Sequence, residues 1–120
     1  FPSGYEVTIR GFRTRTGLDA LEWARRAADL GAGEIVVNSV DADGTRQGFE
    51  PTITRLISEG VSVPVVASGG AGHPDHLVTV FREAHADAAI VAGILHTGEW
   101  TIPAIKERLR EAGIPVRRIW

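Results

Sequence analysis

The stretch Gly31-Ala32-Gly33-Glu34-Ile35-Val36-Val37-Asn38-Ser39-Val40-Asp41-Ala42-Asp43-Gly44-Thr45 decides how the rest of the chain is read. A glycine turn opens it, a short β-branched block follows, and a polar loop with two aspartates, a glycine and a threonine closes it. The apolar block is too short for a helix and is rich in Val and Ile, which predicts a buried parallel strand over Glu34–Ser39. The chemistry lies just past the strand, where α/β proteins place their sites. Val63-Pro64-Val65-Val66-Ala67-Ser68-Gly69-Gly70 and Ala88-Ala89-Ile90-Val91-Ala92-Gly93 repeat the pattern. Three such strands, each ending in small or polar residues, point to one shared active face.

Helical segments fill the intervals. Thr16 is expected to cap a helix over residues 18–30, with Asp19 in its first turn, a stripe of Leu18, Leu21, Ala24 and Ala28 buried, and Gly31 as its stop. Pro51 starts a second helix carrying Ile53, Leu56 and Ile57 and ending at Gly60. Pro74 starts a third, with Asp75 near its positive end and Leu77, Val80, Phe81 and Ala84 inward. Thr101 and Pro103 open the last, which packs Ile105 and Leu109 and closes at Gly113. Ahead of all these, residues 5–10 alternate like an exposed strand or arm, and residues 11–17 form a basic loop with Arg13 and Arg15. Alternating strands and helices mean parallel strands with right-handed crossovers. The unit of roughly 30 residues is the βα period of a barrel. Three or four units do not close a barrel of eight strands, so the chain is a small open sheet or a piece of something larger.

Composition narrows the classes. The chain has 120 residues, 43% hydrophobic and 23% charged, enough for one domain and no more. A formal charge of −2 gives no electrostatic reason to expect nucleic acid or an anionic membrane. No apolar run approaches the ~20 residues that span a bilayer. There is no cysteine and no visible signal peptide, so the expected address is cytoplasmic. The start at Phe1 and the absence of methionine suit an internal fragment better than a native N-terminus, with processing or a designed start as the alternatives.

Two places carry candidate chemistry. Ser68-Gly69-Gly70-Ala71-Gly72 lies between a strand and a helix, where backbone amides and the helix dipole can hold an anion. Ala92-Gly93 ends the next strand in equally small residues, so both loops are placed to grip one phosphate, as barrels do after their last two strands. The bland reading is that these glycines only make tight turns. Asp41 and Asp43 flank Ala42 just before Gly44; one carboxylate is placed for general acid/base work, or both simply cap a turn. His73, His76 and His85 lack a partner carboxylate or a second ligand at metal spacing, so neither a metal nor a cofactor is expected. His96, just past the third strand, is the histidine best placed to see a ligand, with loop packing as its alternative.

Leu30-Gly31-Ala32-Gly33-Glu34-Ile35, Asp41-Ala42-Asp43-Gly44-Thr45, Gly48-Phe49, Ser68-Gly69-Gly70-Ala71-Gly72 and Ala86-Asp87-Ala88-Ala89 occur in one order and spacing. With Ala20-Leu21-Glu22-Trp23-Ala24 and the Gly-Ile-Pro-Val-Arg run ending at Arg117, the set resembles the cyclase subunit of imidazole glycerol phosphate synthase, of histidine biosynthesis. The resemblance implies an α/β fold of parallel βα units, the C-terminal half of an incomplete (βα)8 TIM-type barrel. Residues 1–120 would then be a single partial domain, running from after the fifth strand to the C-terminus. It further implies a lyase that closes an imidazole ring on a phosphorylated ribonucleotide, with ammonia from a glutamine amidotransferase partner. The family's principal acid/base aspartates lie on its first and fifth strands, outside this chain, so the fragment alone is expected to be inactive. Asp43 matches a secondary catalytic aspartate. Ser68, Gly69 and Gly70, with Ala92, Gly93 and Gly44, match substrate- and phosphate-binding positions, and Glu34 matches the ammonia entry. Asn38 and Gly93 depart from the usual threonine and serine, as do Phe12 and Leu95 from a small residue and an aromatic. The phosphoribosyl isomerase of the same pathway, and a non-catalytic phosphate-binding half-barrel, are the alternatives. Unpaired strand edges and an open apolar face predict a homodimer or poor solubility.

Overall fold

The computed structural model describes residues 2–9, 14–39, 45 and 47–116. Expectations placed on Phe12, Arg13, Asp41, Asp43, Gly44 and Arg117 lie outside the described residues.

The chain opens on an antiparallel pair, β1 (Glu6–Ile9) with β2 (Thr14–Asp19). Part of the expected basic loop is therefore a strand, and helix α1 (Ala20–Asp29) starts two residues later than the sequence suggests. Asp19, not Thr16, is its cap: Asp19 Oδ2 accepts the Glu22 N–H at 3.1 Å. The same carboxylate accepts from the Ser3 N–H at 2.8 Å and the Ser3 hydroxyl at 2.6 Å. Burial alone would raise the Asp19 pKa, but these donors outweigh it and hold the carboxyl below its usual value. Thr16 is committed elsewhere, donating from Oγ1 to the Val7 carbonyl at 2.5 Å. Leu18, expected in the buried stripe, sits in β2 and is 43% exposed. Ala24 is buried, with Leu21 and Ala28 half-buried. The helix ends as expected at Gly31, whose φ is +107°. Gly31 N–H donates to the Ala28 carbonyl at 3.1 Å and Ala32 N–H to Ala27 at 3.0 Å, the paired bonds of a Schellman stop.

A parallel sheet follows, with β3 (Ile35–Asn38), β4 (Val65–Ser68) and β5 (Ala88–Ile90) in the order β3-β4-β5. Helices α2 (Pro51–Gly60), α3 (Pro74–Arg82), the single turn α4 (Gly93–His96) and α5 (Ile102–Glu111) complete the chain. Each long one after α1 carries a proline in its first turn and a capping side chain, Glu50, His73 or Thr101. Ala84, expected on the third helix, is buried just beyond its end.

Pairing puts Val37, Ala67 and Ala89 level on one face, and Val36, Val66 and Ala88 level on the other. The first face meets the helices. Val37 and Val65 pack with Ala24, Ile53 and Ile57, while Ala67 packs with Leu77, Val80, Ile94, Ile105 and Leu109. The second face joins neither cluster, and its Val36 and Ile90 are 48% and 47% exposed. The parallel βα units are those of a (βα)8 barrel, and they do not close into one.

Candidate functional site: the carboxyl edge of the parallel sheet

Asn38, Ser68 and Ile90 end the three strands level with one another. The chain leaves β4 through Gly69 and Gly70, with φ of +90° and +108°, a conformation L side chains rarely adopt. Gly69 is required for a second reason. A Cβ there would lie 2.7 Å from Asn38 Oδ1 and 3.1 Å from the Ser39 carbonyl oxygen. Ser39 N–H donates to the Ser68 carbonyl at 3.2 Å, which locks this approach of the two chain segments. One residue further, the Gly70 carbonyl accepts the Gly48 N–H at 2.8 Å. Gly72 N–H donates to Nδ1 of His76 at 3.0 Å.

Among the described residues, the amides of Gly69, Gly70 and Ala71 have no hydrogen-bond partner. Consecutive N–H groups in such a turn make an anion-binding concavity. The start of α3 contributes less than the sequence suggests. Pro74 has no N–H, His73 Nδ1 takes the Asp75 amide at 3.0 Å, and the His73 carbonyl takes the His76 amide at 2.9 Å. The helix dipole remains, but its first donors are in use.

Ala92-Gly93 sits two residues past the end of β5, at the same edge of the sheet. It opens the turn α4 rather than a loop, because the Ala92 carbonyl accepts from the Leu95 and His96 amides, each at 3.0 Å. Both residues are exposed, and a Cβ on Gly93 would meet nothing within 4 Å. Glu34 precedes β3 and is exposed at the opposite, amino edge. The structure therefore gathers Ser68, Gly69, Gly70, Ala92 and Gly93 at one edge and sets Glu34 apart.

The histidines fall differently from expectation. His96 is exposed at the end of α4, while His76 accepts a hydrogen bond from the glycine turn and His73 caps the helix that follows it. His73 also meets Trp100 edge-on, with ring centroids 5.1 Å apart. Burial, with a smaller push from His73 against the pull of Asp75, lowers the His76 pKa. A signal for His76 was present: it is the third residue of a helix, the position from which a side chain reaches back to an amide before the first turn.

Parallel βα units with a glycine turn at the carboxyl edge define a barrel-type protein, whose sites lie at that edge. The chain belongs to the histidine biosynthesis protein family, whose model matches residues 2–101. It is 53% identical over 119 residues to the imidazole glycerol phosphate synthase subunit HisF of Oleidesulfovibrio alaskensis. It is 56% identical over 119 residues to that of Syntrophobacter fumaroxidans. These matches cover 99% of this chain and 46% of each relative. The archaeal subunit of Methanopyrus kandleri is 52% identical over 114 residues, 95% of this chain and 42% of its own. The chain spans a little under half the length of the relatives it matches.

Proposed function

We propose that the chain is the C-terminal part of an imidazole glycerol phosphate synthase cyclase subunit, and that its carboxyl edge binds a phosphate of the substrate. The reaction joins ammonia to a phosphoribosyl-formimino aminoimidazole carboxamide ribonucleotide. It releases imidazole glycerol phosphate, an aminoimidazole carboxamide ribonucleotide and one water. The observation that carries the reading is the run of amides at Gly69, Gly70 and Ala71 that have no partner among the described residues, next to a proline-started helix whose dipole favours an anion. Ser68 lends a hydroxyl at the end of β4, and Ala92-Gly93 leaves room on the adjacent strand for the same phosphate. Asp43 serves as a secondary acid/base group, with Gly44 at the substrate. Glu34, at the far edge, lies where ammonia from a glutamine amidotransferase partner would enter.

Titration with glycerol phosphate, followed by amide NMR, tests the site. Shifts are expected at Gly70 and Gly93; shifts confined to the Glu34 edge overturn it. The chain alone is expected not to close the ring, since loss of an acid/base group costs about 10²–10⁴-fold. Activity should return only when the missing half is supplied in trans.

The open face of the sheet fits a second copy of this chain. Val36 and Ile90, both about half exposed, supply the apolar part of that face.

A further inference from the structure

The contact between Gly72 and His76 fixes more than a helix start. A backbone amide only donates, so the Nδ1 atom 3.0 Å from the Gly72 nitrogen is the bare, accepting nitrogen. The ring proton then sits on Nε2. The imidazole is half-buried and also lies against Gly48, where a Cβ would stand 3.5–3.8 Å from three ring atoms. Gly48 in turn donates its N–H to the Gly70 carbonyl at 2.8 Å. One side chain is thus bonded to the connection after β4 and lies beside the connection after β3. These bonds occupy the Gly70 carbonyl and the Gly72 amide, and leave the amides between Ser68 and Gly72 without a partner among the described residues.

We propose that His76 is a positioning residue for the phosphate turn: by accepting the Gly72 N–H and packing on Gly48 it holds the two connections together, keeping the amides of Gly69, Gly70 and Ala71 presented to the anion. This rests on the phosphate reading above. The imidazole does not touch the phosphate; it acts through the shape of the turn. Neutrality of the ring is part of the device, because a proton on Nδ1 removes the acceptor, and burial favours the neutral form. His76 also lines a cavity of about 330 Å³ with Gln47, Gly48, Phe49 and Thr79, so other side chains of similar size can be housed.

Two variants of the 120-residue chain separate the acceptor from the bulk. His76→Asn keeps an accepting oxygen at the δ position, and His76→Leu keeps bulk without an acceptor. Three readouts apply: Gly72 amide exchange in the ligand-free chain, imidazole ¹⁵N shifts, and the dissociation constant for glycerol 3-phosphate. In the wild-type chain a bare Nδ1 and a protected Gly72 amide are expected. His76→Asn should keep the protection and bind within about threefold of wild type, while His76→Leu should lose the protection and bind about three- to tenfold more weakly. A protonated Nδ1 at neutral pH, or equal Gly72 protection in His76→Leu, overturns the tether. Binding unchanged in His76→Leu despite a lost tether overturns the positioning role. A protected Gly72 in a wild-type chain that binds no glycerol 3-phosphate overturns the phosphate reading instead.

Discussion

Replacing Gly69 by alanine tests whether the turn after β4 is shaped by close approach of the backbone. Two costs arise at this position. The first is conformational: φ is +90°, and an L residue there loses about 1–2 kcal/mol. The second is steric. The new methyl would lie 2.7 Å from Asn38 Oδ1, 3.1 Å from the Ser39 carbonyl oxygen and 3.3 Å from the Ser39 nitrogen. The Asn38 side chain can rotate away, but Ser39 is backbone held to Ser68, so the strand ends must part. Forced shifts of this kind cost about 1–3 kcal/mol. The sum is about 2–5 kcal/mol, a large share of the 5–15 kcal/mol that roughly spans domain stabilities. Gly31 is the control: its φ is +107° with nothing within 4 Å, so Gly31→Ala should cost only the conformational part. Gly33 has neither feature, and Gly33→Ala should fall within about 0.5 kcal/mol of wild type. Urea denaturation of the three variants measures the series. At a slope of roughly 1.5 kcal/mol/M, a 3 kcal/mol loss lowers the midpoint by about 2 M. A Gly69→Ala midpoint equal to that of Gly31→Ala would refute the close-approach reasoning.

The pKa shifts give stability a definite pH dependence. His76 has a lowered pKa in the fold, so its contribution is complete above the unfolded value of about 6.5 and is lost as pH falls below it. Glu6, lowered chiefly by its hydrogen bond from Arg15 and then by the Gly17 amide, and Asp19 lose theirs only below about pH 4. Thermal melts at constant ionic strength should therefore weaken in two stages on acidification, the upper one absent in His76→Asn; a flat profile between pH 7 and 5 contradicts this. Light scattering at tens of micromolar, roughly, should report a dimer, shifted to monomer or to aggregate by Val36→Lys with Ile90→Lys. A stable wild-type monomer overturns the second-copy reading.

The parallel units were legible because their signals are local. Pro51, Pro74 and Pro103 mark helix starts, Gly31 and Gly113 mark stops, and the Val- and Ile-rich blocks are too short for anything but strands. The β1–β2 pair was not legible, because what makes Thr14–Asp19 a strand is supplied by cross-strand partners nine to eleven residues earlier, which no local signal in the segment announces. Glu6 takes the Arg15 guanidinium at 2.7 Å and the Gly17 amide at 2.8 Å, and Val7 takes the Thr16 hydroxyl. Asp19 outcompetes Thr16 as a cap because Ser3 docks on the same carboxylate. The glycine turn was legible as a tight turn between strand and helix, but the partner of His76 was not. A search for histidine partners looks for carboxylates and metal ligands, and a backbone amide has no letter of its own.

The strands show a subtler limit. Their apolar runs read as buried on both sides, which is correct for β4, where Val65, Val66 and Ala67 are all buried. It fails at Val36 and Ile90, whose letters are equally apolar but whose face no described helix covers. Period-two alternation would have revealed a face meant for water, as in an antiparallel sheet. Its absence means that the open face is apolar without being adapted to solvent, at roughly 25 cal/mol for each Å² left wet. The carboxyl edge shares this dependence. Asn38, Ser68 and Ile90 lie level at the rim of that face, so whatever covers Val36 and Ile90 also lies beside the proposed phosphate turn. Covering the face and completing the site are then one event, and glycerol phosphate should bind more tightly to the associated chain than to the monomer.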